Sequence, residues 1–463
     1  MHGRNRTTRL RTDRPLTVRG PDYQQQRGAN HLLIWRDIPC WMIVDHELHS
    51  LLGTIDGKRQ ADELIASQPR LQRKATIRAL RHLHVMGIVS DGRNAPSPGG
   101  AVPASGIANI SVNVTARCNL RCRFCYNLDS LNTVPADELG AEEIIDFLDF
   151  IKPHLTKDCS LTLLGGEPLL VPEKTLALAR YGRENGWQTI VSTNGHHVTD
   201  DFATEARRNR LQVQVSLDGP SADLHDQVRG TGAFERTLGG IRKLVSRRVL
   251  TILNLVCHRG NLDCLEGFYR LARELGVNEA RFIPLKRLGG ACKAGLEPVD
   301  PKDLVVSAAS LFREHPEFRP LLGRDALSIL ATTCAHSVRQ PSRGTGLRTF
   351  LLDANGDLYP CLNTHVPGLR LGNIRETGFD FGRLWTESAV LTEVREKTSV
   401  ENTHNKCYNC VVKYWCLGYC RGETLQARGS LAERATDCSR QREAIIEMFW
   451  LLGTERDIAR GRG

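Results

Sequence analysis

The 463-residue chain carries 62 Lys and Arg against 52 Asp and Glu, a net charge of +10, with 41% hydrophobic residues and 15 cysteines. At about 150 residues per domain this length implies roughly three domains. No stretch reaches the about 18 apolar residues of a membrane span, the N-terminus lacks the apolar core of a secretory signal, and so many thiols in a long chain suit metal ligation better than a disulfide framework, so a soluble, cytoplasmic protein without a membrane partner is expected.

Residues 1–27 include the arginine-rich RNRTTRLRTDRPLTVR and lack apolar periodicity, which reads as a disordered basic tail. Residues 28–92 form a first unit. HLLIWRDIPCWMIV suggests two short strands around an Asp37–Ile38–Pro39 turn, and DHELHSLLGTIDGKRQADELIAS suggests two short helices broken at Asp56–Gly57. Ile77, Leu80, Leu83 and Met86 recur at helical spacing ahead of Gly87, giving a third helix and a winged-helix-like module. Residues 93–107 close a Pro-, Gly- and Ser-rich stretch, DGRNAPSPGGAVPASG, with the composition of a linker.

From 108 to 290 apolar runs alternate with amphipathic stretches: ISVNV, LTLL, TIVS, VQVSL, TILNLV and ARFIPL. Six βα units predict an α/β fold, a partial (β/α)6 TIM-like barrel, left open because eight units close one. Cys118, Cys122 and Cys125 follow the first strand, Gly165–Gly166–Glu167–Pro168 the second, STNG (192–195) the third and SLDG (216–219) the fourth. All four motifs therefore face the C-terminal mouth of the barrel, where chemistry collects. Three thiols so close together exceed a disulfide and fall short of a four-ligand zinc site, so they point to a metal centre with one open position. Gly165 and Gly166 permit a close backbone approach, Glu167 can accept from an ammonium group, and Ser192 and Asp218 can bind ribose hydroxyls.

The C-x3-C-x2-C pattern with Phe124 before its last cysteine, followed by GGEP in this βα order, resembles the radical SAM superfamily over about residues 108–290. The resemblance implies that Cys118, Cys122 and Cys125 hold a 4Fe-4S cluster whose fourth iron binds S-adenosylmethionine (SAM). It further implies a SAM pocket built from Phe124, Gly165, Gly166, Glu167, Pro168, Ser192, Asp218 and Arg229, with Glu167 on the amine and Arg229 on the carboxylate. Reductive cleavage of SAM would then yield a 5′-deoxyadenosyl radical that takes a hydrogen atom from the substrate, with flavodoxin or ferredoxin as electron donor.

After a bridging segment at 291–330, residues 331–463 hold Cys334, Gly356-x4-Cys361 and a C-x2-C-x5-C-x3-C run at Cys407, Cys410, Cys416 and Cys420, with Cys438 beyond. In isolation this spacing fits a zinc ribbon. Beside the first motif it resembles the SPASM extension, which implies two auxiliary 4Fe-4S clusters: one on Cys407, Cys410, Cys416 and Cys438, the other on Cys334, Cys361 and Cys420, with Cys292 as a possible fourth ligand. Auxiliary clusters provide a destination for electrons released by net oxidation.

The first unit resembles a RiPP recognition element, which implies a leader peptide added as an extra strand. Arg73, Lys74, Arg78 and Arg81 on the third helix would serve DNA binding instead, but basic helix faces are ordinarily solvated and no other feature reads bases. The reading is thus a radical SAM maturase that installs an oxidative modification, a thioether or carbon crosslink, on a ribosomally made precursor peptide. The alternatives are anaerobic sulfatase maturation, where the family has CD and this chain has Cys361–Leu362, oxidation of a tetrapyrrole side chain, and a metal-binding DNA-binding regulator. The catalytic base is not legible.

Overall fold

Alternating and continuous apolar runs become two different kinds of sheet in the computed structural model, which describes residues 10–67, 72–92, 106–131, 137–323, 326–335 and 338–454. In the N-terminal module β1 (Thr17–Val18) pairs with β5 (Val89–Ser90), and β2 (Tyr23–Arg27), β3 (Asn30–Trp35) and β4 (Cys40–Asp45) form an antiparallel sheet. The helices His46–Gly53, Ala61–Ala66 and Arg73–Val85 follow the expected order, and Gly87 takes the left-handed φ of +74° just past the Met86 cap.

The tail expected over residues 1–27 is corrected for its described part. Leu10 and Leu16 are buried, Gly57 N donates to Leu16 O at 2.9 Å, and residues 23–27 form β2. The strand escaped notice because YQQQR presents no apolar alternation; its order comes from backbone pairing to β3. Residues 1–9, and residues 93–105 of the expected linker, lie outside the described residues.

Six parallel strands follow in sequential order: β6 (Ile107–Thr115), β7 (Leu155–Gly165), β8 (Gln188–Thr193), β9 (Gln212–Ser216), β10 (Leu250–Cys257) and β11 (Glu279–Pro284). Val112, Leu161, Leu163, Val191, Val213, Val215, Leu253 and Leu255 are each fully buried, as expected where helices cover the sheet. The sheet does not end with the barrel. Beyond β6 it continues through β12 (Thr349–Leu352), parallel to β6, then β13 (Asp357–Tyr359) and β14 (Gly372–Asn373), both antiparallel. The nine-stranded sheet runs from β11 at one edge to β14 at the other, so the barrel is open, and the auxiliary segment begins as an extension of its sheet.

The N-terminal module is bolted to the C-terminal helix Cys438–Thr454. Arg27 makes a bidentate pair with Glu447 at 2.9 Å, Trp450 Nε1 donates to Gln25 Oε1 at 2.8 Å, and the Trp41 ring stacks on Phe449 at 4.8 Å. β3 carries this arrangement through its two-residue period: Leu33 and Trp35 enter the module's own core, Leu32 and Ile34 the main one.

Candidate active site and cluster cysteines

The mouth of the barrel is a cavity of about 760 Å³ whose walls include Cys118, Cys122 and Cys125 on one side and Cys361, Cys416 and Cys420 on another. The first three thiols lie on a loop without regular structure, held by backbone bonds from Arg123 N to Val228 O (2.9 Å) and from Gly290 N to Cys125 O (2.8 Å). A Cβ on Gly289 would sit 2.3 Å from Tyr126 O, so the LGGAC segment must be bare backbone to seat the loop from behind. Sequence reading missed this support; the paired glycines after β11 were the available signal.

Gly165 and Gly166 are required by the chain itself. Gly165 has φ +135°, and a Cβ on Gly166 would lie 2.0 Å from Arg117 O, so the GGEP turn packs directly on the segment that launches the cysteine loop. One side of the turn thus meets protein backbone, while Gly165 and Gly166 also line the cavity, where a small molecule was expected to approach. Pro168 opens the following short 3-10 turn and is buried. Glu167, 1% exposed, accepts from Thr193 Oγ1 (2.6 Å) and Leu169 N (2.9 Å) on one oxygen and from Asn194 N (2.8 Å) on the other. Burial raises its carboxyl pKa despite these donors. A carboxylate offers about four acceptor positions, so three donors leave capacity for one more facing the cavity.

The expected ribose contact at Asp218 is corrected. Asp218 is 1% exposed and is not among the residues of the cavity wall; its Oδ2 takes Arg229 Nε at 2.5 Å and its Oδ1 takes Val256 N at 2.9 Å. Both oxygens are therefore engaged behind the wall. Arg229 does reach the cavity, and its Nη1 lies 3.6 Å from Cys122 Sγ while its guanidinium stands over Phe124 at 5.5 Å. Burial opposes its charge, but Asp218 prevails and raises the Arg229 pKa. Ser192 lines the cavity as expected, joined by Asn194 and Ser216, which the sequence reading passed over although both sit in the quoted post-strand turns. Asn194 Nδ2 also donates to Asn119 Oδ1 at 2.9 Å, tying the third-strand turn to the cysteine loop.

The second group of cysteines divides. Cys407, Cys410, Cys416 and Cys438 act electrostatically on one another and form one neighbourhood. Cys361 neighbours Cys420. Cys334, on the helix Ala326–Ala335, is fully buried and neighbours Cys416 instead, with its carbonyl accepting from Trp41 Nε1 at 2.7 Å. Cys292 is exposed, and the charges that act on it most are Glu423, Arg287, Lys293 and Asp129. The thiol acting on Cys334 is thus Cys416, where the expected grouping had Cys361 and Cys420. Cys334 is held by its helix, whose carbonyl at that residue meets Trp41.

The donor sets fit iron–sulfur clusters. Burial pushes the Cys125 thiol up to about 11 and that of Cys416 to about 12, so thiolates here need a strongly positive partner such as a cluster core. Among the described residues no group of three or more His, Cys, Asp or Glu converges on the position of one metal ion; a cluster spreads its thiolates over separate corners and has no need of such convergence.

Residues 112–272 match the Radical SAM superfamily, and residues 345–411 match SPASM, an iron–sulfur cluster-binding domain. The AdoMet-dependent heme synthase of Methanosarcina barkeri is 30% identical over 71% of this chain and 95% of its own. The chain belongs to the radical SAM superfamily. It is a radical SAM enzyme, and its cofactors are 4Fe-4S clusters and SAM. Mycofactocin maturase MftC of Mycobacterium tuberculosis is 27% identical over 67% of this chain and 77% of its own. In fold, the chain is similar to Streptococcus suis SuiB bound to precursor peptide SuiA, with a TM-score of 0.59 at 15% identity, over 91% of this chain and 99% of that one. Among the described residues no helix is long and apolar enough to cross a membrane.

Proposed function

We propose that this radical SAM enzyme modifies a ribosomally made precursor peptide, binding its leader on the N-terminal module and oxidising its core at the barrel mouth to a thioether or carbon crosslink. Cys118, Cys122 and Cys125 hold the cluster that binds SAM, and the remaining acceptor position of Glu167 takes the SAM ammonium. Cys407, Cys410, Cys416 and Cys438 hold an auxiliary cluster, and Cys361 with Cys420 contributes to a second. When bound, these cofactors supply homolytic abstraction of hydrogen from an unactivated C–H bond. Around them Leu120, Phe124, Leu164 and Phe282 give the cavity apolar walls that exclude water. Ser192 and Ser216 present hydroxyls to a ribose.

The observation that carries this reading is the fixed N-terminal sheet, in which β2 and β4 each pair on one side only among the described residues. An edge strand recognises an extended peptide through its free backbone groups, and rigid attachment through Arg27, Trp450 and Trp41 raises the local concentration of the tethered core at the mouth. The fold likeness to SuiB supports it: 91% coverage leaves only about 42 of 463 residues unmatched, so the likeness extends into the first 92. A flavodoxin or ferredoxin is the proposed electron donor.

The test incubates full-length reconstituted enzyme, SAM and reductant with short peptides encoded beside its gene. Submicromolar leader binding and a product lighter by hydrogen, formed with 5′-deoxyadenosine, are expected. Kinship to the heme synthases favours one second reading, oxidation of a tetrapyrrole side chain. Turnover of a tetrapyrrole carboxylate with no peptide binding would establish it instead.

A further inference from the structure

Beside the four-cysteine auxiliary set lie buried hydrogen-bond donors that find no acceptor among the described residues. Arg421, 4% exposed, opens the helix Arg421–Arg428 directly after Cys420. Its Nη1 donates to Glu433 O at 2.9 Å and its Nη2 to Cys407 Sγ at 3.7 Å, while its Nε is buried with no partner among the described residues. Trp415, 3% exposed and adjacent to Cys416, likewise has a buried Nε1 with no partner. A buried unpaired donor is destabilising, so one on a residue that reaches Cys407 Sγ and another on the residue next to Cys416 point to acceptors that complete the site. Both residues line the cavity onto which Cys416 and Cys420 open.

The charge around these donors sets them apart. Arg421 has no carboxylate partner among the described ion pairs, whereas Arg229 at the mouth is neutralised by Asp218 at 2.5 Å with both side chains buried. Arg343, Arg434 and Arg442, which also act on the four-cysteine set, are exposed and screened by water, and the buried Lys413 between Cys410 and Cys416 is paired with Asp37 at 3.3 Å, so Arg421 is a buried cation without a carboxylate among the described ion pairs. Adding an electron to a buried cluster adds negative charge, which N–H donors and an uncompensated guanidinium stabilise; the reduction potential rises accordingly.

We propose that Arg421, assisted by Trp415, is a positioning residue that donates N–H···S hydrogen bonds to the auxiliary cluster on Cys407, Cys410, Cys416 and Cys438, and raises its reduction potential above that of the cluster at the mouth. This rests on the ligand set proposed above. With both clusters bound, Arg421 and Trp415 would make the auxiliary site the favoured place for an electron shared between them, one cluster losing the electron that the other gains.

EPR-monitored redox titration of the reconstituted holoenzyme, with iron content measured alongside, tests the inference. Arg421→Gln is expected to lower the reduced-to-oxidised ratio of the auxiliary cluster at least tenfold at a fixed potential, about 59 mV for a one-electron couple, with the mouth cluster unmoved. Arg421→Lys keeps the charge and loses the fork, so it shifts the ratio less, and Trp415→Phe shifts it severalfold in the same direction. An auxiliary midpoint unchanged in Arg421→Gln with full iron content overturns the proposal. Should that variant lose iron, unchanged midpoints in both Arg421→Lys and Trp415→Phe overturn it. Cys407→Ala tests the ligand set separately: an intact auxiliary signal there refutes the set and leaves the role of the arginine to the other variants.

Discussion

Two buried arginines reach cysteine sulfurs at nearly equal distances, Arg229 to Cys122 at 3.6 Å and Arg421 to Cys407 at 3.7 Å, in opposite electrostatic company. At the mouth Asp218 cancels the charge and is itself fixed by Val256 N and by its own amide donating to His225 Nδ1 at 3.1 Å. At the auxiliary set, among the described residues, the guanidinium donates to a carbonyl and a thiol and to no carboxylate. A cluster that must reduce a sulfonium needs a low potential, and one that accepts electrons needs a higher one. The same residue type serves both, and the second partner decides which.

The sharpest way to break the comparison is to remove one side of it. Cys122→Ala is expected to bring 5′-deoxyadenosine formation to background while the auxiliary set keeps its iron, read by SAM cleavage together with iron content; loss of all iron would show that the regions are not independent. Asp218→Asn makes the mouth resemble the auxiliary set by leaving Arg229 charged and unpaired. Stripping one partner from a buried ion pair costs about 3–5 kcal/mol, checked by denaturant unfolding of the reconstituted enzyme, and the midpoint of the mouth cluster should rise.

A smaller effect is set by pH. Burial pushes the His225 imidazole down to about 4 from an ordinary 6.5, so the folded protein holds it neutral while the unfolded chain protonates it. Arg229 also disfavours its charge, Asp218 and Asp226 favour it, and Thr237 and Phe234 pack against the ring. Its contribution is complete above pH 6.5 and is lost as pH falls towards about 4, because there the unfolded state binds more protons. His225→Gln should flatten that limb of a stability–pH profile. The smallest effect lies on the auxiliary side: Trp41→Phe deletes the 2.7 Å bond to Cys334 O and keeps the ring stack on Phe449, so about 1 kcal/mol of thermal stability is expected to go, with the mouth cluster untouched.

Much of the site was legible because its signals are local. The three-cysteine loop, GGEP and STNG each follow a strand recognisable from a short apolar run, and parallel βα order sends all of them to one mouth. Asp218 misled for the same reason: its position after β9 marked it as facing the mouth, yet its carboxylate turns back to Arg229, a partner eleven residues on in a different element. Cys334 misled in another way, since spacing along the chain says nothing of which thiol its helix will face. The strand at Tyr23–Arg27 hid behind three glutamines, which present no apolar alternation and gain their order from pairing with β3 and from the C-terminal helix through Gln25 and Arg27.

Composition and short-range pattern thus determined the open α/β barrel, the placing of three cysteines at its mouth and the N-terminal unit, because secondary structure periods and tight motifs are written within a few residues of one another. Only the tertiary structure decided that β12 extends the barrel sheet, that Arg229 is neutralised and Arg421 is not, and which cysteines share a neighbourhood. Those outcomes depend on residues far apart in the chain meeting in a low-dielectric interior, where a single carboxylate, present or absent, changes the charge an entire site experiences.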